Sequence, residues 1–210
     1  MSTRSILSMA GRLAGAVACV ISLVSCGSEM LRTGRSPMLL VIENMQATAG
    51  NGGEDSAFLL SDVQVLVEET VNGVKVKVPA IFNDSATATI RSIEKNTDAT
   101  TTQINSITLT RYNVSFRRTD GRATPGVDVP YGFDGGLGIS ISPNNSASVA
   151  FEIVRHQAKL EPPLKNLVGM GGLGFISTIA EVTFYGHDQN GNEVTVTGRI
   201  DVQFGDFADK

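Results

Sequence analysis

From residue 38 onward one pattern recurs along the chain: apolar and polar residues alternate with a period of two, in short runs closed by Gly, Asn, Asp or Pro. Successive side chains of a strand point to opposite faces, so this period marks a sheet with one buried face and does not suit a helix, whose period is 3.6. Val63, Val65 and Val67 alternate with Asp62, Gln64 and Glu68, and Val74, Val76 and Val78 alternate with Lys75 and Lys77. Asn72-Gly73 lies between the two runs, and this dipeptide tolerates the two positive φ angles of a tight turn, so the pair predicts a β-hairpin.

Further runs at residues 86–93, 107–117, 127–133, 137–142 and 147–158 read as half-buried strands. Within 107–117 the apolar phase moves from Ile107 and Leu109 to Tyr112, Val114 and Phe116. One extra residue near Arg111 restores a common inward face, which predicts a β-bulge there. Residues 179–185 and 194–204 form a second hairpin about a polar turn through Asp188, Asn190, Gly191 and Asn192. Its inward set is Val194, Val196, Ile200, Val202 and Phe204, and Gly198 on the same face suggests a kink or the close approach of another backbone. Helix is limited to about a turn within 161–168, where Pro162 and Pro163 stand near the start. Two Gly-Gly-Leu-Gly segments, at 135–138 and 171–174, are read as loops entering strands. Together these features predict an all-β fold, an antiparallel two-sheet sandwich that resembles an immunoglobulin-like domain with additional strands, with a β-barrel as the alternative. Residues 37–210 form the single domain, large enough to bury a core unaided.

The N-terminus has a different character. Arg4 and Arg12 appear without any acid, an apolar run of small and branched residues spans 13–24, and Ser25, Cys26, Gly27, Ser28 and Glu29 end it. That is the layout of a secretory leader, and twelve residues are too few to cross about 30 Å of hydrocarbon. Leu23, Val24, Ser25 and Cys26 resemble the lipobox of bacterial lipoproteins. The resemblance covers only the leader. It implies that residues 1–25 are removed, that the Cys26 thiol carries a diacylglycerol, and that 26–36 is a lipidated, flexible tether. Two or three acyl chains make a durable anchor where one is marginal. Gly27, rather than Asp, after the cysteine implies the outer membrane in a host with two membranes. The partner implied is a membrane, held through the lipid anchor on Cys26, and the location implied is the cell envelope.

Composition removes other classes. The full chain carries a net charge of −4, and loss of Arg4 and Arg12 with the leader takes it to −6. The densest positive cluster, Arg117, Arg118 and Arg122, stands beside Asp120, so a nucleic-acid partner is not expected. Cys19 and Cys26 both lie in or at the leader, so no disulfide is available to the body.

Candidate chemistry is sparse. Gly169, Gly171 and Gly174 match G-x-G-x-x-G, but a strand rather than a helix follows, so a loop is expected and no nucleotide cofactor. His156, read as part of a long strand, and His187, beside the final turn, are the only imidazoles, and no nucleophile elbow or zinc helix accompanies them. Zinc held by both with a distant acid stays open. Asp188, Asn190, Asn192 and Glu193 offer oxygens to calcium, although Asn and Gly also serve a plain turn. Asp201, Asp206 and Asp209 read as solvated acids. Tyr131, Phe133 and Asp134 mix aromatic and acid in a way that suits either core packing or a peptide or glycan contact. The sequence therefore predicts no catalytic, cofactor or metal residues, and a single modified residue, Cys26. A non-enzymatic binding or scaffold module is the leading expectation, with an unidentified protein or glycan partner. A secreted hydrolase assembled by the fold and an accessory subunit of an envelope complex are the alternatives.

Overall fold

A computed structural model of the chain describes residues 35–96, 98 and 102–207. Cys26, the leader and Asp209 lie outside these residues. Ten strands follow in order: β1 Met38–Thr48, β2 Phe58–Asp62, β3 Val65–Val71, β4 Val74–Ala80, β5 Asp84–Glu94, β6 Ile107–Arg118, β7 Phe133–Ile141, β8 Ser146–Val154, β9 Phe175–Asp188 and β10 Glu193–Gly205. Among the described residues helix is confined to α1, His156–Lys159, and 3-10 turns at Gln103–Asn105 and Leu164–Leu167. No helix among the described residues is long and apolar enough to cross a membrane.

The strands make an all-β sandwich. One sheet has the order β1-β5-β8, the other β2-β10-β9-β6-β7, and β3 pairs with β4 alone. All pairs are antiparallel except β2 beside β10. Along β9 the alternation is complete: Ile176, Thr178, Ala180, Val182 and Phe184 are buried, and the residues between them are not. The inward faces of both sheets meet in one core, where Phe151 and Phe184 rings stand edge to face at 5.3 Å and Tyr112 leans on both. Burial pushes the Tyr112 phenol up from its ordinary value, against the backbone N–H of Glu152, which donates to its oxygen at 3.3 Å.

The predicted bulge is present. Registers on both sides of β6 shift between Leu109 and Arg111, so that Thr110 and Arg111 both face outward. The final hairpin also stands as expected, with its named inward set buried or half-buried. Gly198 causes no break in register; a Cβ there would lie 2.7 Å from Ile42 Cδ1 and 2.9 Å from Met45 Cε, so the close approach is by side chains of β1.

Four readings need correction. Residues 127–133 are not a strand: residues 126–128 turn, and Pro125 bridges only to Val129. Gly135 to Gly138 is no loop but the middle of β7, whereas the second such segment is a turn before β9, with Gly169, Gly171 and Gly172 at positive φ. His156 does not continue the strand but opens α1, and the turn within 161–168 is a 3-10 turn. The Asn72-Gly73 hairpin has its expected turn, at φ 53° and 81°, but Val71, Val74 and Val76 remain exposed because the hairpin projects from both sheets.

At the end from which this hairpin projects, Asp84 and Lys159 form a buried ion pair, Nζ to Oδ2 2.9 Å, with side chains 1% and 2% exposed. Ser61 Oγ donates to Asp84 Oδ2 at 2.6 Å and the Gly50 N–H to Oδ1 at 2.9 Å. Thus β2, β5, α1 and the loop after β1 meet on one carboxylate. Exposed apolar side chains gather at the same end, with Leu173 95% exposed near Val168, Met170 and Phe175.

Candidate functional site

The outward residues of the five-stranded sheet form a grid. In register across β6, β9 and β10 stand Thr108, His187 and Glu193, then Arg111, Tyr185 and Thr195, then Asn113, Thr183 and Thr197. Ser115, Glu181 and Arg199 follow, and then Arg117, Ile179 and Asp201. From His187 to Ile179 this face runs about 27 Å at about 3.4 Å per residue.

A groove of about 920 Å³ opens on this face around the bulge, lined chiefly by Thr110, Arg111, Thr183, Tyr185, His187 and Glu193. A second hollow of about 360 Å³ lies farther along, between Ser115, Arg117, Ile179 and Glu181 and the loop carrying Pro125 and Pro130. The bulge makes the first groove by sending two consecutive residues outward and bending the sheet, a device common beside binding sites. Gly186 is required there, since a Cβ would sit 2.4 Å from the Thr108 carbonyl oxygen.

Arg111 is held flat. Its guanidinium lies 3.8 Å over the Tyr185 ring and pairs with Asp134 at 3.2 Å, which fixes its plane and leaves other N–H groups to donate outward. Arg199 and Glu181 pair at 2.8 Å, and the Thr183 and Thr197 hydroxyls meet at 3.0 Å. His187 Nδ1 pairs with the Asp188 carbonyl at 3.0 Å. The face is therefore rich in hydroxyl, amide and imidazole groups with balanced charge.

Two glycines beside it have no structural cause. Gly136 is the register partner of Arg111, and Gly138 lies two positions on along the same outer face of β7. A Cβ at either meets nothing within 4 Å, and neither has positive φ. Glycine inside a strand costs roughly 0.5–1 kcal/mol relative to alanine. Gly135 is different, because a Cβ there would fall 2.2 Å from the Tyr112 ring.

The other sequence candidates resolve individually. The two histidines stand at opposite ends of the sandwich, which rules out a shared zinc site. His156 pairs with Asn83 Oδ1, from Nδ1 at 2.9 Å, whereas His187 is the register partner of Glu193 in the groove. Among the described residues no group of three His, Cys, Asp or Glu is placed to hold a metal. Asp188 is buried and its oxygens are filled with donors: Oδ1 takes the Asn190 and Asn192 N–H groups, both at 2.9 Å, and Oδ2 takes Asn192 Nδ2 at 2.9 Å. Such N–H groups cannot ligate a cation, so the calcium reading gives way to a self-capped turn. Burial alone raises this carboxyl; hydrogen bonds from Asn192, Ser36 and Asn190 outweigh it and hold the group below its ordinary value. Asp206 accepts the Gly169 N–H, and Asp201 faces outward on β10. Arg122 closes on Asp120 at 2.9 Å, which lowers that carboxyl. Phe133 packs on Tyr112 at 6.2 Å beneath the Arg155 guanidinium, while Tyr131 is exposed, so the two rings make no joint contact surface.

No family model matches the chain, and no curated protein does. A solved structure, described as the X-ray structure of a Northeast Structural Genomics Consortium target, is similar over 80% of this chain and 86% of its own, at 10% identity and a TM-score of 0.34. An overlap that slight bears on neither architecture nor activity.

Proposed function

We propose that the chain is an exported lipoprotein, lipidated at Cys26, whose sandwich is a non-enzymatic binding module at the cell envelope. The observation that supports a binding role is the groove at the β6 bulge, with its pinned Arg111 and the unexplained glycines at its side. The lipobox residues Leu23 to Cys26 support the anchor, and Gly27 supports the outer membrane in a host that has one.

Two measurements test this. Cys26→Ser is expected to move the protein from membrane to soluble fractions without changing its melting temperature; unchanged membrane attachment rejects the anchor. A photoreactive residue at Thr195, in intact cells, is expected to capture a cell component that one at Ser148, on the opposite sheet, does not. Equal labelling from both positions rejects the groove as a site.

A hydrolytic reading draws on His187 facing Glu193. It predicts turnover of a glycan or peptide that His187→Ala abolishes. The accessory-subunit reading draws on the apolar end around Leu173, and predicts that Leu173→Asp releases a co-purifying protein while the groove is untouched.

A further inference from the structure

We infer that the outer-face groove binds a linear, uncharged oligosaccharide along the β9–β10 face. The inference rests on the groove being the binding site, and adds the class of ligand.

Three observations select this class. First, the functional groups match. A sugar chain presents closely spaced hydroxyls that both donate and accept, and the lining answers with the Thr110, Thr183 and Thr195 hydroxyls, the His187 imidazole and the flat Arg111 guanidinium. Charge is balanced across the face, with Arg111 paired to Asp134 at the groove's side and Arg199 to Glu181 farther along, so a polyanion finds no basic track.

Second, an extended peptide has little to hold. Peptides add to sheets through free main-chain edges, but β9, which floors the groove, lies between β10 and β6, while β10 is paired with β2 only over Asp201–Gly205. The main-chain groups of β9 are taken up by its neighbours, so the floor of the groove recognises through side chains.

Third, the site is long and kept open. Two hollows share one face about 27 Å in length, a shape that suits a chain of repeating units rather than one compact molecule. Gly136 and Gly138 leave the β7 side of the platform bare beside Arg111, at a cost to the strand that packing does not require.

The test uses the mature domain from Cys26→Ser and saturation-transfer NMR with chitotetraose, cellotetraose, mannotetraose and soluble uncharged bacterial cell-wall glycan fragments, against a heparin tetrasaccharide and a peptide of mixed composition. At least one uncharged glycan is expected to bind, and the charged probes to bind at least tenfold more weakly. Tyr185→Ala and Arg111→Ala are expected to weaken that binding at least tenfold. Gly136→Thr is the sharper variant: it restores a strand-forming side chain, so it is expected to raise the melting temperature while weakening binding at least fivefold. Failure of every uncharged glycan, or binding insensitive to Gly136→Thr and Tyr185→Ala alike, overturns the inference. If the Thr195 photoprobe then labels a protein selectively, the binding-module reading survives without the sugar; if it labels nothing selectively, both fall.

Discussion

Lys159→Met removes an ammonium while keeping a stem of similar length in the same buried channel. The structure sets the size of the effect. Asp84 is 1% exposed and loses the countercharge at 2.9 Å, but keeps the Ser61 hydroxyl at 2.6 Å and the Gly50 N–H at 2.9 Å. Stripping one member from a buried pair costs about 3–5 kcal/mol, and the two surviving donors place this case near about 3–4 kcal/mol. A domain of this size shifts by about 2–4 °C per kcal/mol, so the melting temperature is expected to fall by about 6–16 °C. Urea unfolding followed by circular dichroism checks the free energy. Adding Asp84→Asn to Lys159→Met removes the stranded charge, keeps an oxygen for the Gly50 N–H and offers an amide N–H to the Ser61 hydroxyl oxygen, so the double variant is expected to recover more than half of the loss. A single variant within about 1 kcal/mol of the parent would refute the reasoning, because exposed pairs behave that way.

Three further outcomes are expected. The folded Asp188 carboxyl lies below its unfolded value near 4, so its contribution is complete above about pH 4 and fades as pH falls further; the stability gap between parent and Asp188→Asn, measured by urea titration, should therefore shrink from pH 5 to pH 2.5. Gly135→Ala drives a methyl into the Tyr112 ring and is expected to cost at least about 2 kcal/mol, whereas Gly136→Ala, one residue away, should be neutral or stabilising by thermal melting. Gly198→Val pushes against Ile42 and Met45 of β1, and a loss of about 1–3 kcal/mol is expected; no loss would mean that the two sheets separate more easily there than the contact distances imply.

Much of the fold was legible because alternation reports burial directly. The phase slip between Leu109 and Tyr112 placed the bulge near Arg111, beside the observed shift between Leu109 and Arg111, and the inward set of β10 was readable in full. Val127, Asp128 and Val129 also alternate, but Pro125, Gly126 and Pro130 around them make a turn, which shows how short alternation misleads between breakers. The parallel seat of β2 was not legible, since five residues that pair with a strand about 140 positions later leave no local mark. Nor was the Asp84–Lys159 pair, where each residue alone reads as solvated. The groove was half legible. Its polar residues read as the solvent side of strands, and the signal that marks the site was present in Gly136 and Gly138, glycines inside a run with no turn to make, taken instead as a loop.

The seat of β10 has a consequence for when this protein can take shape. β10 is the last described strand and an interior one at its C-terminal end: β9 runs along it, β2 pairs its residues 201–205, and β1 crosses above it at Gly198. Until residues 193–205 arrive, β2 has no neighbour and the larger sheet lacks its spine. A nascent polypeptide of this design stays unfinished until β10 has been made. Under the proposed export of the chain, in which it is threaded through a translocation channel as an open chain, that delay is a safeguard built into connectivity.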